Sequence, residues 1–240
     1  MTERYIVASS GGFIATDRWG VLKPGGIMLR ALELTGKERP RVLFMMTASG
    51  DDASYLARSY QAMSDVSVDV DHLSLFTQPT RPVEEAIGKA DLIWVGGGSV
   101  ANLLAVWQLH GVELALKDAW GRGTVLGGVS AGSICWHVGG PTDSFGPELE
   151  VVTNALGLIS FGNGVHYDTE AQRRPLLQSL VRDEILPVSY ATDDHVAVVY
   201  RNDDAVEVVT DAKDTKGRAY RVEKVGNEVV ETTLEVGQIP

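Results

Sequence analysis

Short apolar runs alternate with helical patterns over the first part of the chain. Residues 41–46 and 91–95 are almost entirely apolar, which is typical of strands that are covered on both faces. Between such runs, apolar side chains recur every three or four positions, as in residues 100–110, and this spacing predicts amphipathic helices. The alternation from residue 5 to about 137 predicts an α/β fold with a doubly wound, mostly parallel sheet.

The same patterns give bounds for the individual elements. The predicted strands of this part are residues 5–8, 41–46, 66–70, 91–95 and 124–126. The predicted helices are a turn and helix within 24–36, followed by 53–63, 83–88, 100–110 and 112–120. The loops that follow the strands are 9–12, 47–52, 96–99 and 127–132, and a parallel sheet collects such loops at one edge, where binding sites form.

The last third of the chain changes to short strands joined by turns. We expect strands over 196–200, 205–209, 219–225 and 228–234, with hairpin turns at 202–204 and 226–227. This pattern predicts an antiparallel meander. We therefore expect a single domain over residues 1–240, in which 196–240 are a C-terminal antiparallel extension.

A lone serine follows the strand that begins at Thr124. The stretch from Gly128 to Gly132 fits the G-x-S-x-G pattern, in which a strand turns sharply into a helix and exposes the hydroxyl of its serine, here Ser130. The helix that follows would point its free N–H groups at the site of a developing oxyanion. The alternative is an ordinary strand-to-helix turn with a serine cap.

The composition of the chain limits the classes of partner, cofactor and cellular location that we expect. The chain has 21 Lys and Arg against 32 Asp and Glu, a net charge of −11, which disfavours nucleic acid. Its single cysteine, Cys135, excludes an internal disulfide and a multi-cysteine metal cluster. The N-terminal residues lack a signal-peptide pattern and no run could span a membrane, so we expect a cytoplasmic protein. No cofactor or metal is expected, and a homodimer stays open.

A nucleophilic serine needs a histidine base and an acidic partner for that base. Of the five histidines, His72 and His110 have structural settings, and His137 lies two helical turns beyond Ser130. His166 and His195 remain. The residues leave two sets open, which are Ser130 with His166 and Asp194, or Ser130 with Asp168 and His195 in the α/β-hydrolase order.

Three further features have competing interpretations. Gly96-x-Gly98-x-x-Ala101 matches a dinucleotide-binding pattern, although a glycine N–H of this loop could instead join the Ala131 N–H in an oxyanion hole. Cys135 is expected to be a core thiol. Asp51 and Asp52 could suggest a metal site, but a helix cap explains them without one.

Several stretches together resemble the peptidase E family, the aspartyl dipeptidases related to cyanophycinase. The resemblance spans about residues 5 to 200 and rests on Val95–Ser99, Gly128–Ser133, Val165–Asp168, Ala191–Asp194 and Cys135–Ser144. It implies a class I glutamine amidotransferase-like, flavodoxin-like fold. It also implies a catalytic Ser130, His166 and Asp194, with Gly98 and Ala131 as the oxyanion hole. The family commonly has glutamate where this chain has Asp194, so Asp193 is the fallback.

The resemblance also implies a serine peptidase that hydrolyses short peptides, with aspartyl dipeptides (Asp-X) as candidate substrates. An arginine binds the aspartate side chain in that family, and Arg173 or Arg174 could fill this role here. The alternatives are a catalytically silent binding protein of the same fold, an α/β-hydrolase-type esterase that uses Ser130, Asp168 and His195, and a nucleotide-binding protein.

Overall fold

The computed structural model describes residues 3–239. Its strands are β1 (Tyr5–Ser9), β2 (Phe13–Ala15), β3 (Leu22–Pro24), β4 (Arg41–Met45), β5 (Asp69–His72), β6 (Leu92–Val95), β7 (Val125–Val129), β8 (Gly140–Thr142), β9 (Glu150–Val152), β10 (Gly162–Gly164), β11 (Ser189–Thr192), β12 (Val196–Arg201), β13 (Asp204–Thr210), β14 (Ala219–Val225), β15 (Glu228–Leu234) and β16 (Gly237–Gln238). Its helices are α1 (Gly26–Leu34), α2 (Ala53–Ala62), α3 (Val83–Gly88), α4 (Val100–His110), α5 (Val112–Arg122), α6 (Ala131–Ile134) and α7 (Arg173–Arg182).

A central sheet of eight strands has the order β16-β13-β12-β1-β7-β6-β4-β5. The five strands from β1 to β5 in this order run parallel, whereas β12, β13 and β16 are antiparallel to their neighbours. One face packs against α1 and α2, and the other packs against α3 to α6. The predicted doubly wound, mostly parallel α/β fold is confirmed.

Side chains along the parallel strands point alternately to the two faces of the sheet, which therefore has a hydrophobic core on each face. In β6, Leu92 and Trp94 belong to the core on the α1 and α2 face, while Ile93 and Val95 belong to the opposite core. All four are buried, because successive side chains of a strand point to opposite faces. The continuous apolar run that marked this strand in the sequence therefore reflects helices on both of its faces.

A second sheet of four strands, in the order β10-β11-β14-β15, lies beside the first and packs against α7. Two small hairpins, β2 with β3 and β8 with β9, complete the strands. The loop between β10 and α7 and the loop between β11 and β12 carry the histidines that matter most for the site. No helix within residues 3–239 combines the length and the apolar character that a membrane crossing requires.

The C-terminal strands are antiparallel, as predicted, but they do not form one meander. Both predicted hairpins form, but β12 and β13 complete the central sheet, with β12 directly beside β1, and β14 and β15 join the second sheet. The physical reason is visible in β12, where Val196–Tyr200 is buried throughout, as an interior strand requires. The strand expected at 66–70 also lies slightly later, at Asp69–His72.

Candidate active site

Ser130 stands alone between the last residue of β7, Val129, and the first residue of α6, Ala131. Its backbone has φ 57° and ψ −114°, a left-handed φ that is uncommon outside glycine. Its N–H donates to the Ser9 carbonyl oxygen at 3.0 Å, and its own carbonyl oxygen accepts the N–H groups of Ser133 and Ile134 at 2.8 Å and 3.0 Å. The sharp strand-to-helix turn that the G-x-S-x-G pattern predicts is present.

Close backbone contacts explain the two glycines that flank this turn. A Cβ atom on Gly128 would lie 2.4 Å from the Gly132 carbonyl oxygen, and one on Gly132 would lie 2.2 Å from the Val95 carbonyl oxygen. Both distances are shorter than van der Waals contact allows, so larger side chains would push α6 away from β6. The glycines therefore let the helix that follows Ser130 rest directly on the sheet.

His166 pairs with a carboxylate at the same edge of the sheet. Its Nδ1 lies 2.5 Å from Asp194 Oδ1, and Thr169 Oγ1 donates to Asp194 Oδ2 at 3.1 Å. The Asp194 N–H in turn donates to Asp168 Oδ1 at 2.9 Å. A carboxylate on Nδ1 fixes the imidazole ring and leaves Nε2 for a reacting group.

The end of β1 connects the serine turn to the histidine. Ser9 accepts the Ser130 N–H through its carbonyl oxygen, and Ser10 Oγ accepts the His166 N–H at 3.0 Å. Ser10 Oγ also lies 2.7 Å from Thr192 Oγ1. Ser9, the last residue of β1, and Ser10, which follows it, thus bind the backbone N–H groups of Ser130 and His166, so both residues lie at the end of this strand. Sequence reasoning missed Ser10, although it lies in a loop already predicted to form the edge.

Asp194 rather than Asp193 is the partner of His166. Asp193 Oδ2 instead accepts from the Arg218 N–H at 2.8 Å and from the Tyr220 hydroxyl at 3.1 Å. The Asp193 side chain is buried, and this burial, with the charge of nearby Asp168 adding to it, raises the pKa of its carboxyl above the usual value. Its contacts are those of a structural carboxylate.

The alternative set of Ser130, Asp168 and His195 is not assembled. His195 Nδ1 lies 3.0 Å from Asp211 Oδ2, and Asp168 Oδ1 accepts the backbone N–H of Asp194. The order Ser-Asp-His along the chain was therefore misleading. The β12–β13 hairpin brings Asp211 to His195, and the backbone N–H of Asp211 donates to the His195 carbonyl oxygen.

The glycine-rich loop after β6 lies against Ser130. A Cβ atom on Gly97 would be 3.3 Å from Ser130 Cβ, and Gly98 has φ 137° with the Ala48 carbonyl only 2.3 Å from where its Cβ would be. Within residues 3–239, neither the Gly98 N–H nor the Ala131 N–H donates a hydrogen bond. Two free N–H groups beside a serine suit an oxyanion. Nucleotide binding by this loop stays a prediction.

The two candidate arginines have different surroundings. Arg173 is buried, donates from Nη1 to the Pro141 carbonyl oxygen and from Nε to Glu170, and so is a structural residue rather than a free substrate ligand. Because the guanidinium of Arg173 is buried and already hydrogen-bonded, the structure disfavours the substrate-binding role that the sequence suggested for it.

Arg174 stacks over the rings of Tyr167 and Tyr220, with its Cζ 4.7 Å and 4.6 Å from their centroids. Its Nη2 lies 3.6 Å from a Glu231 oxygen, and its side chain is 42% exposed. Tyr167 follows His166 directly in the chain. This guanidinium is therefore held in a fixed orientation close to the His166 loop.

Cys135 and His137 lie in the core behind the serine turn. Both side chains are fully buried, as expected for the cysteine, and burial raises the pKa of the Cys135 thiol well above its usual value. Burial also lowers the pKa of His137 to about 4. The ring of His137 contacts the Ser133 carbonyl oxygen through Nδ1 and the Tyr200 hydroxyl through Nε2.

The carboxylates of Asp51 and Asp52 accept backbone N–H groups. Asp52 caps α2 by accepting the Tyr55 N–H at 2.6 Å, and Asp51 Oδ2 accepts the N–H groups of Leu75 and Phe76. In the described part of the chain, no group of three or more His, Cys, Asp or Glu side chains could hold a metal ion. The cap interpretation of Asp52 is confirmed.

A cavity of about 540 Å³ lies between α4, α5 and residues 152–158. Its polar lining comes from Gln108, Glu113, Lys117 and Asn154. Neither Ser130 nor His166 lines it. The cavity is therefore separate from the serine turn and the His166–Asp194 pair.

The chain belongs to peptidase family S51, whose family model matches residues 7–208. The uncharacterized peptidase YgaJ of Bacillus subtilis is 35% identical over 235 residues, covering 97% of this chain and 98% of that protein. Peptidase E of Shewanella denitrificans is 31% identical over 146 residues, or 56% of this chain and 60% of the relative. The resemblance to peptidase E is confirmed, and the protein is a peptidase.

Two solved structures have the same fold. One, a peptidase from an acI-B1 Actinobacterium, superposes with a TM-score of 0.71 at 16% identity, over 98% of this chain and 96% of the other. The second, provisionally named peptidase E, comes from Listeria monocytogenes and gives a TM-score of 0.61 at 18% identity, over 98% and 100%. At these identities the likeness concerns the fold.

Proposed function

We propose that this peptidase is a serine peptidase that hydrolyses short peptides through an acyl-enzyme. One observation carries the proposal, namely that the left-handed Ser130 turn is hydrogen-bonded to Ser9, the last residue of β1, and that His166 of the His166–Asp194 pair is hydrogen-bonded to Ser10, the next residue. A serine hydroxyl becomes a strong nucleophile when an oriented imidazole accepts its proton. The residues needed for that step, and their order along the chain, agree with the family resemblance.

In the first half of the reaction, His166 Nε2 accepts the proton of the Ser130 hydroxyl while Ser130 Oγ attacks the peptide carbonyl carbon. The carbonyl oxygen becomes an oxyanion that accepts hydrogen bonds from the N–H groups of Gly98 and Ala131. His166 then gives its proton to the leaving nitrogen, and the C–N bond breaks. The amine leaves and the acyl group stays on Ser130 as an ester.

In the second half, a water molecule gives a proton to His166 and attacks the ester carbonyl carbon. The same N–H groups hold the second oxyanion, and His166 returns the proton to Ser130 Oγ as the ester bond breaks. Asp194 stays hydrogen-bonded to Nδ1 throughout. Its role is to orient the ring and to stabilise the imidazolium that forms twice in each turnover.

For the acyl side of the substrate we propose an N-terminal aspartyl residue, as the peptidase E resemblance implies. Arg174 supports this choice, since its partly exposed guanidinium is kept in place by two tyrosine rings. Guanidinium groups pair with carboxylates through two parallel hydrogen bonds. The Glu231 oxygen at 3.6 Å is a loose partner that a substrate carboxylate can replace.

A fluorophosphonate probe and a dipeptide panel test the proposal together. We expect the probe to label wild-type protein at Ser130 and to leave Ser130→Ala unlabelled, with Ser54→Ala, an exposed serine on α2, as the labelled control. Folded wild-type protein that takes no label and cleaves no dipeptide would identify the chain as a silent binding member of the fold.

The specificity has its own test. Aspartyl-alanine should be cleaved faster than alanyl-alanine, and Arg174→Gln should reduce that preference about tenfold because a charge-assisted pair is lost. Equal rates on the two dipeptides would reject the aspartyl preference and keep the serine mechanism.

A further inference from the structure

A second histidine–carboxylate pair lies at the same edge of the sheet and takes no part in the mechanism above. His195 Nδ1 is 3.0 Å from Asp211 Oδ2, where the Asp211 side chain is fully buried and the His195 side chain is 54% exposed. With Nδ1 held by the carboxylate, the exposed ring atom able to meet a ligand is Nε2.

Backbone groups fix the position of the Asp211 carboxylate. Oδ2 accepts the Gly12 N–H at 2.9 Å, and Oδ1 accepts the Ile27 N–H at 3.4 Å. A Cβ atom on Gly11 would lie 2.3 Å from Oδ2, and one on Gly25 would lie 2.1 Å from Oδ1. The two glycines leave room for this carboxylate and for nothing larger, so the His195 ring has a rigid support.

The order of the central strands locates this pair relative to Ser130. Across the edge β12, β1, β7 and β6 follow one another, and they bring His195, Ser10, Ser130 and Gly97 into that order. His195 donates its N–H to the Ser10 carbonyl oxygen at 3.0 Å. Because neighbouring strands are about 4.8 Å apart, the backbones of His195 and Ser130 are separated by roughly 10 Å.

The proposed reaction gives the substrate a direction along this edge. The carbonyl oxygen faces the N–H of Ala131, which follows Ser130, and the N–H of Gly98, which lies in the loop after β6. The leaving nitrogen faces His166, which is hydrogen-bonded to Ser10 on the β1 side. The residue beyond the scissile bond therefore extends towards β12. One residue spans at most about 3.6 Å, so the α-carboxylate of a single leaving residue comes within reach of the His195 side chain.

We propose that His195, supported by Asp211, binds the α-carboxylate of the leaving residue and so makes this enzyme selective for dipeptides with a free C-terminus. The inference rests on the proposed serine mechanism. A protonated Nε2–H is the complementary donor for a carboxylate. Such a donor matters here because the net charge of the chain is −11 and Asp168 and Asp194 lie near His166, where they repel a second carboxylate.

The test compares a dipeptide with the same dipeptide carrying a C-terminal amide, in wild type and in His195→Asn. Asparagine tolerates the left-handed backbone of residue 195, which has φ 64°, and removes the imidazole. We expect the KM for the free dipeptide to rise about tenfold with kcat within about twofold, as for a lost charge-assisted hydrogen bond. The wild-type preference for the free acid over the amide should fall by the same factor. His110→Asn, at the end of α4, is the matched control.

A binding measurement separates this inference from the mechanism on which it rests. In Ser130→Ala protein, the free dipeptide should shift the NMR signals of the His195 ring and the amide should not. If wild type cleaves peptides but His195→Asn loses activity equally on acid and amide, the carboxylate site is overturned while the mechanism stands. If wild type cleaves nothing, the mechanism fails, and the NMR titration alone decides whether His195 binds a carboxylate.

Discussion

The two histidine–aspartate pairs beside Ser10 are built alike and exposed differently. In both, the histidine has a left-handed backbone and offers Nδ1 to the carboxylate. The ring of His166 is 22% exposed and its partner Asp194 is 34% exposed, whereas His195 is 54% exposed over an Asp211 that has no exposure. The first pair has a sheltered ring and an accessible carboxylate, and the second has the reverse.

This difference indicates two separate uses of the same chemical unit. A sheltered imidazole beside a serine can pass a proton without exchanging it with solvent. An exposed imidazole on a rigid support can act as a fixed ligand for a group that arrives from solvent. We therefore expect changes in the first pair to affect kcat, and changes in the second to affect KM and the stability of the fold.

The largest expected effect is the loss of turnover in His166→Ala. Removal of the base should lower kcat on a cleavable dipeptide by about 10⁴-fold or more, as removal of one member of such a set does elsewhere. His195→Asn should keep kcat within about twofold, as a ligand for substrate would. Steady-state kinetics of both variants measure the contrast. A comparable loss of kcat in His195→Asn would contradict the assignment of His166 as the catalytic base.

Two adjacent aspartates sharpen the comparison further. Asp194→Asn should lower kcat by about 10²- to 10⁴-fold because the amide no longer orients and stabilises the charged His166 ring. Asp193→Asn, which keeps an acceptor for the Arg218 N–H and the Tyr220 hydroxyl, should change kcat by less than about threefold. The opposite ranking would show that Asp193 is the partner in the reacting enzyme.

Changes in the His195–Asp211 pair should lower the free energy of unfolding more than changes in the His166–Asp194 pair. Asp211→Ala leaves the buried N–H groups of Gly12 and Ile27 without their acceptor, so the free energy of unfolding should fall by about 2–4 kcal/mol. Asp194→Ala removes a partly exposed carboxylate and should cost less than about 1 kcal/mol. Urea unfolding of both variants measures the difference, and equal losses would contradict the structural role of Asp211.

His137 provides a third histidine, buried and without a carboxylate bonded to its ring. Its pKa is lowered from 6.5 to about 4 by burial, so the unfolded chain binds a proton near pH 6.5 that the folded chain binds only near pH 4. The free energy of unfolding therefore decreases as the pH is lowered from 6.5 towards 4. Between pH 6.5 and pH 5, His137 should account for about 1.5 kcal/mol of this decrease. Urea midpoints of wild type and His137→Gln at the two pH values test it, and an unchanged pH dependence would contradict it.

Local patterns in the sequence predicted the parallel part of the fold well. Buried strands of a doubly wound sheet are continuous apolar runs, and the helices between them repeat at a fixed spacing, so both signals were visible. The strands β10 and β11 were missed because they are short, and because Gly162-Asn163-Gly164 has no apolar alternation. The fates of the two C-terminal hairpins depend on contacts with β1 and β11, which no local pattern encodes.

For the candidate site too, features with a local sequence signal could be predicted, whereas features that depend on contacts distant in the chain could not. The position of Ser130 could be predicted from its glycines, since a tight turn needs them, and the family resemblance favoured Asp194 over the rival set that the residues had left open. The partner of His195 could not, because the register of the β12–β13 hairpin places Asp211 there. Nor could the burial of Arg173, which depends on the Pro141 carbonyl oxygen 32 positions earlier in the chain.

The single thiol of Cys135 allows local opening at the serine turn to be measured as a rate of chemical modification. Its Sγ lies 3.5 Å from the Gly132 carbonyl oxygen, just beyond the turn, and is fully buried. A thiol reagent can modify it only when α6 lifts from the sheet or the whole chain unfolds. Because the sequence has no second cysteine, the rate of modification reports how often α6, the helix that follows Ser130, separates from the sheet or the chain unfolds.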